Sequence, residues 1–102
     1  MTSIGIVGCG AVGKALVRAV ESGIPAVRLS GITSRSSEPA REFLATVKNP
    51  PPYLSLTELI SASDLIVEAA GGHVVADLAR QTFAAGKDLM VISVGALMDT
   101  PT

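Results

Sequence analysis

A chain of 102 residues, 48% of them hydrophobic and 17% charged, is long enough for one domain with an apolar core and too short for two. A formal net charge of −1 at pH 7, 3% aromatic content and the lack of any Lys/Arg cluster argue against nucleic-acid binding and a polybasic membrane anchor. A single cysteine excludes an internal disulfide, and no apolar run reaches the roughly 18 residues of a membrane span. No basic leader precedes the first apolar run, so we expect residues 1–102 to form one cytoplasmic domain with a small-molecule ligand.

The first motif is a glycine triplet between a strand pattern and a helix pattern. The short β-branched run at 4–7 predicts a strand, and apolar positions at helical spacing predict a helix over 11–22. Between them stands the G-x-G-x-x-G spacing of Gly8, Cys9, Gly10, Ala11, Val12 and Gly13. Gly8 suits a tight turn, Gly10 lets a pyrophosphate approach the backbone, and Gly13 lets the helix pack on the strand. These six residues are predicted to bind a dinucleotide, with a purely structural turn as the alternative.

The rest of the chain continues to alternate strand and helix signals. Strands are predicted at 4–7, 27–33, 53–54, 65–69 and 89–94, and helices at 11–22, 38–47, 55–62 and 74–83. The third strand can be only a short edge strand, because the proline run at 50–52 precedes it. This alternation predicts an α/β fold, a doubly wound parallel sheet of Rossmann type with strand order 3-2-1-4-5. Ligands bind such sheets at the carboxyl ends of the strands, at the switch point between strands one and four.

The end of the second strand indicates which nucleotide is bound. In dinucleotide-binding sheets an acidic residue about 20 residues beyond the glycine turn binds the ribose hydroxyls of NAD. This chain has no acid there; its residues are Thr33, Ser34, Arg35 and Ser36. A guanidinium group binds phosphate oxygens bidentately, so we interpret Arg35, between Ser34 and Ser36, as a site for a 2′-phosphate. The pattern favours NADP over NAD as the cofactor, and a solvated loop arginine is the alternative.

Two further strand ends complete the predicted cleft. The residues expected there are Ala69, Ala70, Gly71 and His73 after the fourth strand, and Ser93 and Gly95 at the end of the fifth. His73 either stands near the nicotinamide or serves the start of a helix, and Ser93 either donates to the cofactor or is simply a small residue ending a strand. Glu68 either faces the cleft or accepts hydrogen bonds from loop amides. No Ser/His/Asp or metal-ligating cluster is recognisable, so neither a catalytic residue nor a metal site is predicted.

Three stretches resemble a known enzyme family. They are the glycine turn at 8–13, Val67-Glu68-Ala69-Ala70, and Gly86-Lys87-Asp88-Leu89-Met90-Val91-Ile92-Ser93-Val94-Gly95-Ala96-Leu97-Met98-Asp99, which is the most specific. Over essentially its whole length the chain is similar to the N-terminal NAD(P)-binding domain of L-aspartate dehydrogenase, and more distantly to homoserine dehydrogenase. The resemblance implies NAD(P)-dependent interconversion of aspartate and iminoaspartate, which hydrolyses to oxaloacetate and ammonia. It also implies a substrate-binding domain with a catalytic histidine that these 102 residues lack, and His73 does not match that histidine.

Two functions therefore remain open. The first is the cofactor-binding part of an aspartate-dehydrogenase-like oxidoreductase, which binds NAD(P) without turnover by itself. This part either was excised from such an enzyme or works with a separate substrate-domain chain. The second is a free-standing NAD(P)-binding sensor or carrier. The stretch from Lys87 to Asp99 favours the first, because its similarity extends beyond what nucleotide binding needs. The apolar terminal strand at 89–94 also predicts a dimer, since an unpaired edge invites a second copy.

Overall fold

The computed structural model describes residues 2–8, 10–70 and 74–92 without the side chain of Ala11, and this part of the chain contains four strands and four helices. The strands are β1 (Thr2–Val7), β2 (Val27–Thr33), β3 (Leu65–Glu68) and β4 (Asp88–Val91). The helices are α1 (Ala11–Glu21), α2 (Ser37–Leu44), α3 (Leu56–Ala62) and α4 (Val75–Ala84). Helices α2 and α3 follow one another directly, and every other pair of consecutive elements alternates between strand and helix.

All four strands are parallel, and their order across the sheet is β2-β1-β3-β4. β1 pairs with β2 from Thr2↔Val27 to Val7↔Thr33, and with β3 from Ile4↔Leu65 to Val7↔Glu68. The predicted parallel α/β sheet is confirmed. After β2 the chain crosses over to β3 on the other side of β1, so the carboxyl ends of β1 and β3 flank the switch point where ligands bind in such sheets.

The prediction of five strands is wrong, because the segment at 53–54 makes one isolated bridge instead of a strand. The Ile32 amide donates to the Pro52 carbonyl at 3.0 Å, and the Leu54 amide donates to the Ile32 carbonyl at 3.0 Å. The prolines before Tyr53 have no amide hydrogens to extend a ladder, and Ser55 already caps the next helix. This segment still lies beside β2, where the third strand was expected, so the predicted order of the other four strands holds.

Helix ends follow local capping chemistry. The Ser55 hydroxyl accepts from the Glu58 amide at 3.2 Å, and the Glu58 carboxylate accepts from the Ser55 amide at 3.1 Å, which is the predicted capping box of α3. Hydrogen bonds to the carboxylate from the Ser55 amide and, second, from the Ser55 side chain lower the pKa of Glu58. α2 begins one residue earlier than predicted and ends at Leu44, because the next residues form a tighter turn in which the Thr46 amide bonds the Phe43 carbonyl at 2.9 Å.

Two apolar clusters lie on the two faces of the sheet. Consecutive strand residues point to opposite faces, so Ile6 belongs to one cluster and Val7 to the other. The first cluster packs α1 and α2 against the sheet and contains Ile6, Val17, Ile32, Phe43, Leu44 and Val47. The second packs α3 and α4 and contains Val7, Leu59, Ile60, Ile66 and Leu78. The described part of the fold is therefore a three-layer sandwich with the sheet in the middle.

β4 is the terminal strand of the sheet as described. Its observed range is Asp88–Val91, and the last two positions of the predicted strand at 89–94 lie outside the described residues. Met90 in the middle of β4 is 51% exposed. None of the helices described is long and apolar enough to cross a membrane.

Candidate dinucleotide-binding site

The glycine turn joins β1 to α1 at the carboxyl edge of the sheet, and two of its glycines admit no side chain. Gly8 has φ +114°, and a Cβ on it would lie 2.7 Å from the Ala69 carbonyl carbon. A Cβ on Gly13 would lie 2.5 Å from the Gly8 carbonyl oxygen, so the first turn of α1 rests directly on the glycine turn. Both positions require glycine for the reasons that the G-x-G-x-x-G spacing predicts.

Gly10 differs from Gly8 and Gly13 because the space around it is open. It occupies the N-cap position of α1, and a Cβ on it would meet no atom of the described structure within 4 Å. No side chain in the described structure caps this helix end. The first-turn amides of α1 are thus available to an anion, and the helix dipole favours negative charge at the same place.

The loop after β2 forms the second wall and is tied to the glycine turn. The Gly8 amide donates to the Thr33 carbonyl at 2.7 Å. Beyond Thr33 the chain presents Ser34, the exposed Arg35 and Ser36, which is the N-cap residue of α2. The predicted phosphate turn and the predicted 2′-phosphate loop are therefore neighbours, held together by a backbone hydrogen bond.

The third wall follows β3. The Ala69 amide donates to the Val7 carbonyl at 2.8 Å, which continues the pairing of β3 with β1. Glu68 is fully buried, and its carboxylate accepts a hydrogen bond from the Ala70 amide at 2.8 Å. Of the two roles considered for Glu68, hydrogen bonding to a loop amide is the one observed. This bond fixes the backbone where the third wall begins.

The three walls enclose one cleft of about 610 Å³. Its lining residues are Val7, Gly8, Gly10, Thr33, Ser34, Arg35, Ser36, Pro39, Leu56, Ala69, Ala70, Val74, Asp77 and Leu78. A volume of this order falls within the range of roughly 300–1,000 Å³ that small-molecule and cofactor sites occupy. The cleft opens at the carboxyl edge of the sheet, beside the switch point between β1 and β3.

Seven of the residues predicted from the sequence meet in this cleft: Gly8, Gly10, Ser34, Arg35, Ser36, Ala69 and Ala70. Gly13 lies buried beneath the turn, and Val12 is 46% exposed on α1 without lining the cleft. The predictions for Cys9, Gly71, His73, Ser93 and Gly95, and for the side chain of Ala11, lie outside the described residues.

Sequence reasoning missed the wall supplied by α3 and α4. Leu56, Val74 and Leu78 add apolar surface to the cleft, and Asp77 adds a carboxylate that already accepts from the Gln81 amide group at 2.9 Å and lies 3.5 Å from Arg80. The predicted helices contained these residues, but the helical pattern predicts only which residues share the apolar face of a helix. Which end of that face reaches the cleft depends on how α3 and α4 cross the sheet.

Sequence comparison relates the chain to dehydrogenases. The model of the family described as "Homoserine dehydrogenase, NAD binding domain" matches residues 8–102. The L-aspartate dehydrogenase of Methanocella arvoryzae is 40% identical over 99 residues, which are 97% of this chain and 37% of that protein. That of Methanothermobacter thermautotrophicus is 41% identical over 96 residues, 94% of this chain and again 37% of the relative. The resemblance read from the sequence is confirmed, and the chain spans about 37% of the length of these relatives.

Comparison with solved structures supports the fold. The scyllo-inositol dehydrogenase from Lactobacillus casei with bound NAD(H) and scyllo-inositol matches with a TM-score of 0.74 and 17% identity, covering 89% of this chain and 27% of that one. The UDP-N-acetylglucosamine 3-dehydrogenase from Acidithiobacillus ferrooxidans matches with a TM-score of 0.74 and 18% identity, covering 88% of this chain and 28% of the other. At such identities the likeness concerns the fold alone.

Proposed function

The chain belongs to the homoserine dehydrogenase NAD-binding domain family, and we propose that it binds the nicotinamide cofactor of an aspartate-dehydrogenase-like oxidoreductase. One observation carries the proposal: within the described structure Gly10 leaves open space at a helix start that no side chain caps, inside the same cleft as Arg35 and the β3 wall. A pyrophosphate needs such a place, where backbone amides can be approached closely. A Cβ at Gly10 would occupy that space.

Three groups of residues hold the cofactor in this proposal. The phosphates lie on the turn formed by Gly8, Cys9, Gly10, Ala11, Val12 and Gly13, and the adenosine half lies against Ser34, Arg35 and Ser36. The nicotinamide half lies toward Ala69, Ala70, Gly71, His73, Ser93 and Gly95. The cofactor carries the hydride, and the protein supplies binding and orientation.

We further propose a preference for NADP over NAD. No carboxylate stands among the loop residues from Thr33 to Ser36, whereas Arg35 is exposed and lines the cleft. A carboxylate there would accept hydrogen bonds from the ribose hydroxyls of NAD and would repel a 2′-phosphate. A guanidinium group instead attracts a 2′-phosphate and donates hydrogen bonds to its oxygens. The proposed cofactor preference rests on this loop.

The proposed substrate is aspartate, as in the relatives. Because this chain spans about 37% of their length, we propose that residues 1–102 act as one cofactor-binding domain and that the substrate is bound by sequence outside them. The 102 residues then bind cofactor without oxidising aspartate by themselves.

Two further properties belong to the same proposal. Association into a dimer is supported by the terminal position of β4 and the exposure of Met90. The cytoplasm is the proposed location, because a soluble nicotinamide cofactor is supplied there.

Isothermal titration calorimetry of the 102-residue chain with NADP⁺, NAD⁺ and, as a control, nicotinamide mononucleotide tests the proposed function. We expect saturable binding of both dinucleotides and tighter binding of NADP⁺. The mononucleotide, which lacks the adenosine and the pyrophosphate bridge, should bind much more weakly. Equal binding of all three, or none, would contradict a dinucleotide site.

A further inference from the structure

Tyr53 lies behind the loop that carries Arg35, and its hydroxyl hydrogen-bonds Ser34, the first residue of that loop. The Tyr53 hydroxyl donates to the Ser34 carbonyl at 2.9 Å and accepts from the Ser34 amide at 3.2 Å. The same hydroxyl oxygen lies 3.2 Å from Ser34 Oγ. One phenol therefore engages both backbone polar groups and the side chain of Ser34.

Ser34 in turn hydrogen-bonds the residue that follows Arg35 in the chain. Ser34 Oγ donates to the Ser36 carbonyl at 2.6 Å. Arg35 thus sits between two residues whose backbone is held, one directly by Tyr53 and the other through the Ser34 hydroxyl. The exposed Arg35 side chain projects from a backbone that is fixed on both sides.

Tyr53 is itself held in place on two sides. Its chain neighbours Pro52 and Leu54 both hydrogen-bond Ile32 of β2, each at 3.0 Å, so its backbone is fixed to the sheet. The guanidinium of Arg41 lies 5.2 Å from the centre of its ring, a separation at which a cation and an aromatic face attract each other. The hydroxyl is therefore presented to Ser34 from a rigid support.

We infer that Tyr53 is a positioning residue for nucleotide recognition, which holds the Ser34–Ser36 loop in the conformation that lets Arg35 bind a 2′-phosphate. The inference rests on the proposed function of this cleft. Tyr53 does not line the cleft, so it acts through Ser34 and Arg35 rather than by touching the nucleotide. Fixing the loop before the ligand arrives reduces the ordering cost of binding and so strengthens the Arg35 contact.

The Tyr53→Phe variant tests this role because it removes one hydroxyl and keeps the ring beneath Arg41. Affinities are measured by calorimetry for adenosine 2′,5′-bisphosphate and adenosine 5′-monophosphate, which differ only in the 2′-phosphate. We expect the variant to lose about three- to tenfold in affinity for the bisphosphate, the range that one or two hydrogen bonds contribute. The monophosphate should change by less than about twofold, so the ratio of the two affinities falls.

A matched control comes from the same connection between β2 and α3. Thr46 Oγ1 donates to the Phe43 carbonyl at 2.7 Å and lies outside the cleft, so Thr46→Val removes a comparable hydroxyl-to-backbone bond. Its affinity ratio should equal that of the wild type. In an Arg35→Ala background, Tyr53→Phe should have no further effect on the ratio, because a residue that acts through Arg35 is coupled to it.

The outcomes separate the inference from the proposed function. If the wild type binds both adenosine ligands and Tyr53→Phe leaves their ratio unchanged, the role of Tyr53 is wrong and the nucleotide site stands. If the wild type binds neither ligand, the proposed function is wrong, and the inference falls with it. Should Tyr53→Phe fail to fold, Ser34→Ala breaks the link to Ser36 with Tyr53 intact; a lowered ratio there supports the inference, and an unchanged one overturns it.

Discussion

The amide of Gly8 donates a hydrogen bond of 2.7 Å to the carbonyl oxygen of Thr33. Gly8 begins the glycine turn, and Thr33 is the last residue of β2 before the loop with Arg35. This bond fixes the spacing between the place proposed for the pyrophosphate and the place proposed for the 2′-phosphate. A ligand that reaches both must match that spacing, which suits a dinucleotide better than a single phosphate.

Arg35→Ala should weaken binding of NADP⁺ and leave binding of NAD⁺ nearly unchanged. A charge-assisted contact to phosphate contributes roughly 1.5–3 kcal/mol, which corresponds to about tenfold or more in affinity. Tyrosine fluorescence or calorimetry of both titrations measures the difference. Arg28→Ala is the matched control, since Arg28 is an exposed cation on β2 outside the cleft. If Arg35→Ala weakened the binding of both cofactors equally, Arg35 would not be the residue that recognises the 2′-phosphate.

Gly10→Val should abolish cofactor binding and leave the domain folded. The Cβ meets no neighbour within 4 Å in the described structure, so the fold can accommodate it, but the branched side chain fills the space that a pyrophosphate needs. Circular dichroism checks the fold and calorimetry the binding. Ala19→Val places the same side chain at an exposed position of α1 and should bind normally. Native dichroism together with retained binding in Gly10→Val would show that the phosphates lie elsewhere.

The 102-residue chain should not reduce NADP⁺ or NAD⁺ when aspartate is added. Oxidation of aspartate needs groups that hold its two carboxylates and a group that accepts a proton. Among the described residues that line the cleft, the one cationic side chain is that of Arg35, which lies on the side proposed for the adenosine. Absorbance at the nicotinamide band, compared with a sample without protein, measures turnover. Turnover above that control which disappears in His73→Ala would make His73 a catalytic residue.

The chain should self-associate through the edge of β4. This strand ends the sheet as described, and Met90 on it is half-exposed, so a second copy can pair with it or cover it. Light scattering across a range of concentrations should show a dimer that dissociates on dilution and that Met90→Lys weakens. Ala62→Lys introduces the same charge at an exposed site of α3 and should behave as the wild type. A wild-type monomer at every concentration would mean that this edge is covered.

The capping box of α3 should make stability depend on acid pH. Hydrogen bonds from Ser55 hold the pKa of Glu58 below its ordinary value in the folded state. A group with a lowered folded pKa stabilises the fold above its unfolded pKa, and the contribution disappears as pH falls through the folded pKa. Urea unfolding of wild type and Glu58→Gln at several acidic pH values should therefore converge as Glu58 becomes protonated. Curves that stayed a constant distance apart would exclude this source of pH dependence.

Ser55→Ala removes the other half of the same capping box. Loss of an N-cap hydroxyl costs about 1 kcal/mol of unfolding free energy, so the midpoint of urea unfolding at neutral pH should fall. Ser61→Ala, at an exposed position within the same helix, is the control and should change the midpoint little.

Features set by neighbours in the chain could be predicted from the sequence alone. The range of β2 is the same in prediction and structure, and the capping box of Ser55 and Glu58 forms as its spacing indicates. Gly8 and Gly13 are needed where the G-x-G-x-x-G pattern places them. These features depend on the spacing of a few residues, and parallel strand order follows from the alternation of elements.

The tertiary structure alone decided what the segment around Tyr53 does. The sequence predicted a short strand there, but the prolines before it and the cap after it leave one bridge to Ile32. The hydroxyl of Tyr53 instead contacts Ser34, 19 residues away. The wall formed by Leu56, Val74 and Leu78 likewise depends on where α3 and α4 cross the sheet. Contacts between residues far apart in the chain are set by the packing of whole elements, which local spacing does not encode.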